Sequence, residues 1–442
     1  MYYKSIIQQI KEEDFESRVI ITEEAYKNMV AYIMAYLKPK DINICPRCSS
    51  HNTILFGKKT RTVKDEYLAN YTSFLILTYH RFKCSECGKL FNDALPFLNA
   101  KQSISMSLKL NVLEDLREDV SFTNIAKKRN ISIQSVIDIF ESYIDFDRVP
   151  FGYVLCMDEF KNLKHTKGKY AFVMYDPNAH KINDILEDRI QNTIDSYLYN
   201  IDWHEKDKVK YVITDMNEGY RTIIRRHFVN ATHIIDTFHF TRYVEDAFND
   251  VRIRIQGLFK NTDKEYKILK NNWRILSAYS FEIETNSRYN PMRKRETSID
   301  TIIDDAINIH MDLIDAYILT QSFLKGIREV KYECAHEWIN NLITELKQSR
   351  NKEFNELAGM FNNWKHEIIN SLIRFGDKKL HNGYIEGINN KIKVIKRIAY
   401  GYTNFTHFRN RIMYMINGDA VIKLVNRKNI KRKSRKQRYR NN

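Results

Sequence analysis

The pattern of apolar and polar positions changes repeatedly along the chain. Residues 52–56 and 74–84 have the apolar runs of extended strands, whereas after Pro96 the apolar positions follow helical spacing. From residue 150 short apolar runs predict strands again, and 246–375 is rich in helical patterns. These changes indicate a multidomain α+β protein whose segments differ in architecture.

Five strands and two helices are predicted between residues 150 and 245. Three strands come first, followed by a helix, a strand, a helix and a strand, with the strands at 152–160, 169–177, 181–188, 208–220 and 231–236. That order fits a ribonuclease H-like α/β domain, a mixed sheet flanked by helices in which the first and fourth strands lie side by side.

The first and fourth predicted strands end near an aspartate each, Asp158 and Asp215. The predicted fold brings these strand ends together, and paired carboxylates there favour a site for hard divalent cations bound through oxygen. Strand ends often have Asp as a turn or cap residue, so either aspartate alone has a structural explanation. Their joint position indicates a metal site.

A helix is predicted over 385–399, and its two faces differ. The apolar positions, expected to face the sheet, are Ile385, Ile388, Ile392, Ile395 and Ala399. The neighbouring face has Glu386, Asn389, Asn390, Lys393 and Arg397. Glu386 can give one oxygen ligand to a metal while the cations hold a phosphate backbone. A helix salt bridge of Glu386 with Asn390 or Lys393 is the alternative, and the two aspartates favour the metal ligand.

Four of the six cysteines form two CxxC pairs, Cys45 with Cys48 and Cys84 with Cys87. Each CxxC turn directs two thiolates at one point, and two such turns complete the tetrahedral sulfur shell that zinc prefers. The spacing predicts a zinc ribbon with one structural Zn²⁺, and His51 and His80 are second-choice ligands. Four unrelated free cysteines are the alternative. Cys156 and Cys334 stand alone and are expected in the core.

Residues 120–144 predict two short helices joined by a turn at Asn130, with Ser132 as the N-cap of the second. The unit matches a helix-turn-helix, whose second helix can enter a major groove. Asp138 and Glu141 on that helix repel phosphate. The residues expected to contact DNA are therefore Gln134, Ser135, Lys127, Lys128 and Arg129. Plain packing of two helices gives the same pattern, and both interpretations stay open.

The charge of the chain favours a polyanionic partner. Its 442 residues include 71 Lys and Arg against 55 Asp and Glu, a net charge of +16, which suits nucleic acid or an anionic membrane surface. Nine of these cations lie in 427–440, which is either a solvated tail or a phosphate-contacting arm. Because no signal peptide or membrane-length apolar run is found, we expect a soluble, intracellular protein without membrane contact.

The order of these motifs resembles the bacterial insertion-sequence transposases of the ISL-three group, which have a DDE catalytic domain. The likeness covers nearly the whole chain, from the CxxC pairs through "MDEF", "VITDMNEGY" and "IIDTFHF" to "NGYIEGINNKIKVIKRIAYGYTNFTHFRNRI" at 382–412. The resemblance implies that Asp158, Asp215 and Glu386 are the DDE triad. It also suggests that Asp236 and His239 lie near the site, although a strand-end cap and a packed histidine explain them nearly as well.

The resemblance implies a DNA-cleaving and strand-transferring enzyme that uses two Mg²⁺ ions per active site, with Mn²⁺ as an alternative. Its partners would be terminal inverted repeats and target DNA, bound by a homodimer or larger assembly in the bacterial cytoplasm, at the nucleoid. Phosphate contacts are expected from Lys393, Lys396, Arg397, Arg409 and Arg411. A non-catalytic DNA-binding regulator and a ribonuclease H-like nuclease are the competing functions.

The expected domain order combines the patterns with the resemblance. The predicted segments are a helical N-terminal segment at 1–40, a zinc ribbon at 41–99, a helix-turn-helix at 100–149, the first part of the catalytic domain at 150–245, an all-helical insertion at 246–375, C-terminal catalytic helices at 376–418 and a basic tail at 419–442.

Overall fold

The computed structural model describes residues 18–40, 43–68, 71–93, 95, 103–144, 147–280, 287–375, 378–399 and 402–418. The predicted basic tail and the first 17 residues lie outside these ranges. The chain divides into two compact units. The first comprises Met1–Asp147, Val394–Tyr402 and Thr406–Asn442, and the second comprises Arg148–Lys393 and Thr403–Phe405.

The first unit contains a five-stranded sheet. Its strands are β1 (Val19–Lys27), β2 (Val30–Leu37), β3 (Thr53–Leu68), β4 (Tyr71–Cys84) and β5 (Leu90–Asn92). The order is β1-β2-β4-β3, with β5 paired to β4; β2 and β4 run parallel and the other pairs antiparallel. The long β3–β4 hairpin includes both segments that the apolar runs predicted as strands, which confirms those two predictions.

The prediction of a helical segment at 1–40 is wrong for residues 19–37, which form β1 and β2. Buried side chains recur at every second position of β2, namely Ala31, Ile33, Ala35 and Leu37, and this period is that of a strand with one buried face. Because β2 pairs with β4, the sheet also begins before the predicted zinc-ribbon boundary at residue 41.

Three helices follow the sheet in the first unit: α1 (Met106–Asp115), α2 (Phe122–Lys128) and α3 (Ile133–Tyr143). The Ser132 hydroxyl accepts a hydrogen bond from the main-chain N–H of Ser135 at 3.0 Å, so the predicted N-cap is confirmed. Asn130, in the turn between α2 and α3, has φ 48°, a left-handed conformation that asparagine tolerates. The two predicted helices and their turn are therefore present.

The second unit contains the predicted five-stranded mixed sheet. Its elements are β6 (Val154–Lys161), β7 (Tyr170–Asp176), β8 (Lys181–Leu186), α4 (Gln191–Tyr199), α5 (Trp203–Asp207), β9 (Tyr211–Thr214), α6 (Glu218–His227) and β10 (Thr232–Ile235). The order is β10-β9-β6-β7-β8, with β6, β9 and β10 parallel and β7 antiparallel to β6 and β8. The first and fourth strands are neighbours, as predicted, and the domain is consistent with a ribonuclease H-like fold.

The segment after β10 is mainly helical. It contains α7 (Thr237–Gln256), α8 (Lys264–Asn271), α9 (Trp273–Ser277), β11 (Ser287–Asn290), β12 (Arg295–Ser298), α10 (Ile299–Ile307), α11 (Met311–Glu329), a short 3₁₀ turn (Tyr332–Cys334), α12 (Ala335–Gln348), α13 (Lys352–Asn363) and α14 (Lys365–Asn370). Residues from α7 to α14 share one apolar core.

Two details of the predicted insertion are wrong. The insertion is not all-helical, because β11 and β12 form an antiparallel hairpin whose turn places Lys294 at φ 53°. The predicted boundary between residues 245 and 246 falls inside α7, which is unbroken because Phe240, Val244 and Phe248 continue one buried stripe across it. Cys334, expected in the core, is exposed, whereas Cys156 is buried.

The last described elements are a two-stranded hairpin and two helices. They are β13 (Arg374–Phe375), β14 (Lys378–Lys379), α15 (Gly383–Ile398) and α16 (Phe405–Asn417). Ile385, Ile392 and Ile395 of α15 are buried, as the helical spacing predicted. Within the part of the chain that the structure describes, no helix has the length and apolar composition needed to cross a membrane.

Candidate functional site

The four paired cysteines of the first unit come together as predicted. The Sγ atoms of Cys45, Cys48, Cys84 and Cys87 all lie within 4.8 Å of one another. Two of the sulfur–sulfur distances are 3.6 Å and 3.5 Å. A tetrahedral zinc ion with Zn–S bonds of about 2.3 Å separates its sulfurs by about 3.8 Å, so this donor set fits structural zinc. His80 is not needed as a ligand, because its Nε2 lies 2.8 Å from the Tyr36 hydroxyl.

In the second unit, strand register places Asp158 beside Asp215. The parallel pairing of β6 with β9 ends at Cys156 and Ile213, and each aspartate lies two residues further along the chain, Asp158 still in β6 and Asp215 just after β9. Because strands rise by nearly equal steps, the two aspartates lie at the same level at the carboxyl edge of β9. Strand β6 extends past the end of β9 and continues to Lys161 with β7 as its partner, so Asp158 lies inside β6 and not at its end.

Asp158 is largely enclosed and has two hydrogen-bond donors. Its Oδ1 accepts from the main-chain N–H of Glu159 at 2.7 Å, and its Oδ2 accepts from Nδ2 of Asn389 at 2.8 Å. Burial raises the pKa of Asp158 to about 7, and the negative charge of Asp215 adds to this shift. A carboxylate whose charge is poorly solvated gains from a bound cation.

Asp215 contacts a histidine from the next helix. Nε2 of His239 lies 2.7 Å from Oδ1 of Asp215, and this contact raises the pKa of the imidazole, although burial opposes the shift. Asp236 caps α7 by accepting from the main-chain N–H of Phe238 at 3.4 Å. Burial raises the pKa of Asp236. The structure thus places His239 against Asp215, with Asp236 at the start of the same helix.

The first turn of α15 faces this group of acids. The main-chain N–H of Asn382 approaches the Asp236 carboxylate, and the Asn389 amide donates to Asp158. Glu386 lies about one helical turn from Asn382 and from Asn389, since positions 382, 386 and 389 share a helix face. Asn382 and Asn389 are buried, and among the described residues neither Oδ1 atom has a hydrogen-bond partner. Two unpartnered amide oxygens flanking a carboxylate suit an oxygen-bound cation.

The alternative role for Glu386, a helix salt bridge, is not observed. Among the described residues no cation or hydrogen-bond donor engages its carboxylate, which is exposed. Lys393, one of the predicted partners, donates instead to Oδ1 of Asn390 at 3.1 Å. Glu386 is therefore available to an external ligand.

The acids do not converge as tightly as the sulfurs. Over all the described ranges, only the four cysteines bring three or more ligand atoms within 4.8 Å of one another. Asp158 and Asp215 are neighbours, whereas Glu386 lies on the helix face above them. The chemistry of the donors, carboxylate and amide oxygens with one partly desolvated carboxyl, fits Mg²⁺.

The predicted DNA-contacting residues of the helix-turn-helix divide into two groups. Lys127 and Gln134 are exposed and Ser135 is half-buried. Lys128 and Arg129 both bind Asp115, each at 2.6 Å, which ties α2 to the end of α1.

The predicted phosphate contacts in the C-terminal helices also divide. Lys393 and Arg397 are exposed, and Lys396 and Arg409 are half-buried. The prediction for Arg411 is wrong, because this residue is only 2% exposed. Its guanidinium donates to the carbonyls of Glu118 and Val120, at 2.9 Å each, and lies over the Phe122 ring. Arg411 lies in a basic segment, and the sequence of that segment does not indicate which of its arginines is buried.

Sequence reasoning missed the contact between Asn389 and Asp158. The helical spacing predicts only that Asn389, three residues after Glu386, shares a helix face with it. The burial of Asn389 depends on how α15 meets β6, which spacing alone does not define.

Comparison with known proteins gives four findings. Residues 155–412, more than half of the chain, match the ISL3-type DDE family described as transposase. Residues 43–87 match the family described as zinc-finger of transposase IS204/IS1001/IS1096/IS1165. The chain is 23% identical over 395 residues, 87% of its length, to the transposase for insertion sequence element IS1001 of Bordetella parapertussis, and the match covers 92% of that protein. A shorter match, 32% identical over 121 residues, is to a Lactococcus lactis subsp. lactis protein described as an ATP-dependent protease; it covers 27% of this chain and 36% of that protein.

Proposed function

The chain belongs to the ISL3 family of DDE transposases, and on this premise we propose that it cuts and joins DNA at the ends of an insertion sequence by Mg²⁺-dependent phosphoryl transfer. The observation that supports this proposal most directly is the position of the acids in the second unit. Asp158 lies on β6 and Asp215 directly follows the parallel neighbour β9, and the helix face of Glu386 is joined to Asp158 through Asn389.

Asp158, Asp215 and Glu386 would hold two Mg²⁺ ions, with Mn²⁺ as a substitute. Bound there, the metal would activate the attacking oxygen and stabilise the leaving oxygen of the phosphodiester. Asn389 holds one oxygen of Asp158 in place, and His239 does the same for Asp215. Water would attack first and free a 3′-hydroxyl at the element end, and that hydroxyl would then attack target DNA.

DNA selection would belong to the first unit. The zinc ribbon and the α2–α3 pair would recognise the terminal inverted repeats, with Lys127 and Gln134 exposed for contact. Lys393 and Arg397 would contact phosphates without reading sequence. Because two element ends must be processed together, we propose that the protein acts as a homodimer or larger assembly on DNA. The net charge of +16 supports binding to the DNA phosphates.

The test is Mg²⁺-dependent cleavage and joining of a labelled element-end DNA. We expect Asp158→Asn, Asp215→Asn and Glu386→Gln each to lower both rates by at least roughly a thousandfold, since a lost metal ligand removes several kcal/mol of transition-state stabilisation. Gel-shift affinity in EDTA should stay at wild-type values, and Asp158→Asn should not lower the melting temperature, because it removes a charge that burial disfavours.

The chain offers a matched control for Glu386→Gln. Glu337 is also an exposed acid in the first turn of a helix of the second unit, α12. Glu337→Gln should cut and join normally. A wild type that binds element ends but never cuts them would favour the DNA-binding regulator, and cleavage without joined products would favour a nuclease of the same fold.

A further inference from the structure

A cleft of about 410 Å³ opens beside the first turns of α7 in the second unit. Its lining includes three cations from two other elements, namely Arg328 at the end of α11 and Arg374 and Lys379 on the β13–β14 hairpin. Glu245 of α7 is the one acid of the lining, so the cleft has a net positive charge. Its volume lies in the range of sites for small ligands or single groups of a polymer.

Neutral acceptors hold two of the three cations of the cleft, Arg374 and Lys379. Arg374 donates to the carbonyl of Arg328 at 2.9 Å, and Nζ of Lys379 donates to the carbonyl of Ile327. Among the described residues, neither Arg374 nor Lys379 has a carboxylate within 4 Å. Burial lowers the pKa of Lys379 to about 8, and the charges of Arg374 and Arg328 add to the shift. An anion in the cleft would relieve this crowding of positive charge.

An aromatic ring connects the cleft with the acids of the candidate active site. Phe238 lines the cleft and is 62% exposed, so its ring is open to a ligand in the cleft. Its ring meets the His239 ring edge-on at 5.6 Å between centroids, and His239 contacts Asp215. An exposed ring beside cations is the combination that binds unpaired nucleotides, with the base stacked and the phosphate paired.

We propose that this cleft binds an unpaired nucleotide of the DNA strand next to the cleaved bond. Its phosphate is held by Arg328, Arg374 and Lys379, and its base stacks on Phe238. That this nucleotide belongs to a cleaved DNA strand rests on the proposed function. That the cleft binds a nucleotide rests on its own cations and aromatic ring. The site keeps the strand end beside Asp215 after it leaves the duplex.

The test measures DNA affinity at several KCl concentrations without Mg²⁺. One probe is a fully paired element-end duplex, and the other has the same sequence with a few unpaired nucleotides at the end. For the second probe, Arg374→Gln and Lys379→Gln should each reduce the slope of log affinity against log salt by about 0.7. Phe238→Ala should weaken that probe on the order of tenfold, Phe238→Tyr should not, and the paired duplex should bind all variants alike.

Arg350→Gln is the matched control for the charge substitutions. Arg350 is exposed and its main-chain N–H donates to Asp315 of α11, thirteen residues before Arg328 and hence about 20 Å away along the helix. This variant should keep the wild-type slope. Equal slopes and affinities for Arg374→Gln, Lys379→Gln and Phe238→Ala on the unpaired probe would overturn the proposal.

The two proposals fail separately. If the wild type cuts DNA with Mg²⁺ while the cleft variants bind and cut as it does, the cleft assignment is wrong and the transposase assignment stands. If the wild type does not cut but the cleft variants lose affinity for the unpaired probe, the cleft binds DNA and the catalytic assignment is wrong.

Discussion

His233 should lower the stability of the second unit in mild acid, relative to a variant that lacks this imidazole. It lies on β10, is 8% exposed, and its Nε2 lies 2.8 Å from the hydroxyl of Thr214. Burial lowers the pKa of His233 to about 3, and the charges of Arg221 and Arg225 add to the shift. The native state therefore holds this imidazole neutral at pH values where the unfolded chain, with a pKa of about 6.5, binds a proton.

The sign and size of the effect follow from linkage. At His233, below pH 6.5, the unfolded state binds more protons than the native state, so the contribution of this residue to stability falls as pH falls, by about 1.4 kcal/mol per pH unit until the native pKa is approached. Between pH 7.5 and pH 5.0 this amounts to about 2 kcal/mol. With a urea m-value of about 2 kcal/mol/M, this contribution is about 1 M of unfolding midpoint. It is measured as the difference between wild type and His233→Gln, because Asp158, whose pKa burial raises to about 7, stabilises the native state as pH falls.

The assay is urea unfolding followed by tryptophan fluorescence. All four tryptophans, Trp203, Trp273, Trp338 and Trp364, belong to the second unit, so the signal reports on that unit. Between pH 7.5 and 5.0 the wild type should lose about 2 kcal/mol more stability than His233→Gln does, whereas a variant of the exposed His204, His204→Gln, should match the wild type. If the wild type and His233→Gln lose the same stability between pH 7.5 and 5.0, the buried neutral imidazole is refuted.

Three further predictions concern the zinc site, the acids and the buried arginine. Wild type should contain about one zinc per chain by elemental analysis and the Cys45→Ser, Cys84→Ser variant none; normal zinc in that variant contradicts the ribbon. Asn389→Ala should slow Mg²⁺-dependent cleavage by roughly 10- to 100-fold with unchanged DNA binding in EDTA, while Asn390→Ala should not; equal rates would show that the Asp158 contact is dispensable. Arg411→Ala should destabilise the first unit by roughly 2–4 kcal/mol in calorimetry, because two charged hydrogen bonds to carbonyls are lost; an unchanged transition argues against its burial.

The sequence predicted those parts of the fold whose residue pattern depends on a single local element, such as a buried strand or a CxxC turn. A strand buried on both faces has a continuous apolar run, which is why β6 and β9 were recognised together with their aspartates. The CxxC spacing likewise specifies a sulfur cluster without knowledge of the rest of the chain.

The parts that were missed depend on partners distant in sequence. β1 contains Glu23 and Glu24 and is largely exposed, so its strand character follows from pairing with β2 more than from its composition. Arg411 is inward-facing because its guanidinium donates hydrogen bonds to carbonyls near residue 120. Asn389 reaches Asp158 across 231 positions of sequence. Such contacts are properties of tertiary packing and have no local signal.

Because the acids are far apart in sequence, the ribosome synthesises the third acid well after the two aspartates. Asp158 and Asp215 lie on a sheet whose strands are complete by residue 235, whereas Glu386 and Asn389 come about 150 residues later on α15. At roughly 5–20 residues per second, a ribosome needs about 8–30 s to supply them. For the proposed function, a chain that ends before α15 would contain both aspartates but not the third acid, and we expect it to be unable to cut DNA.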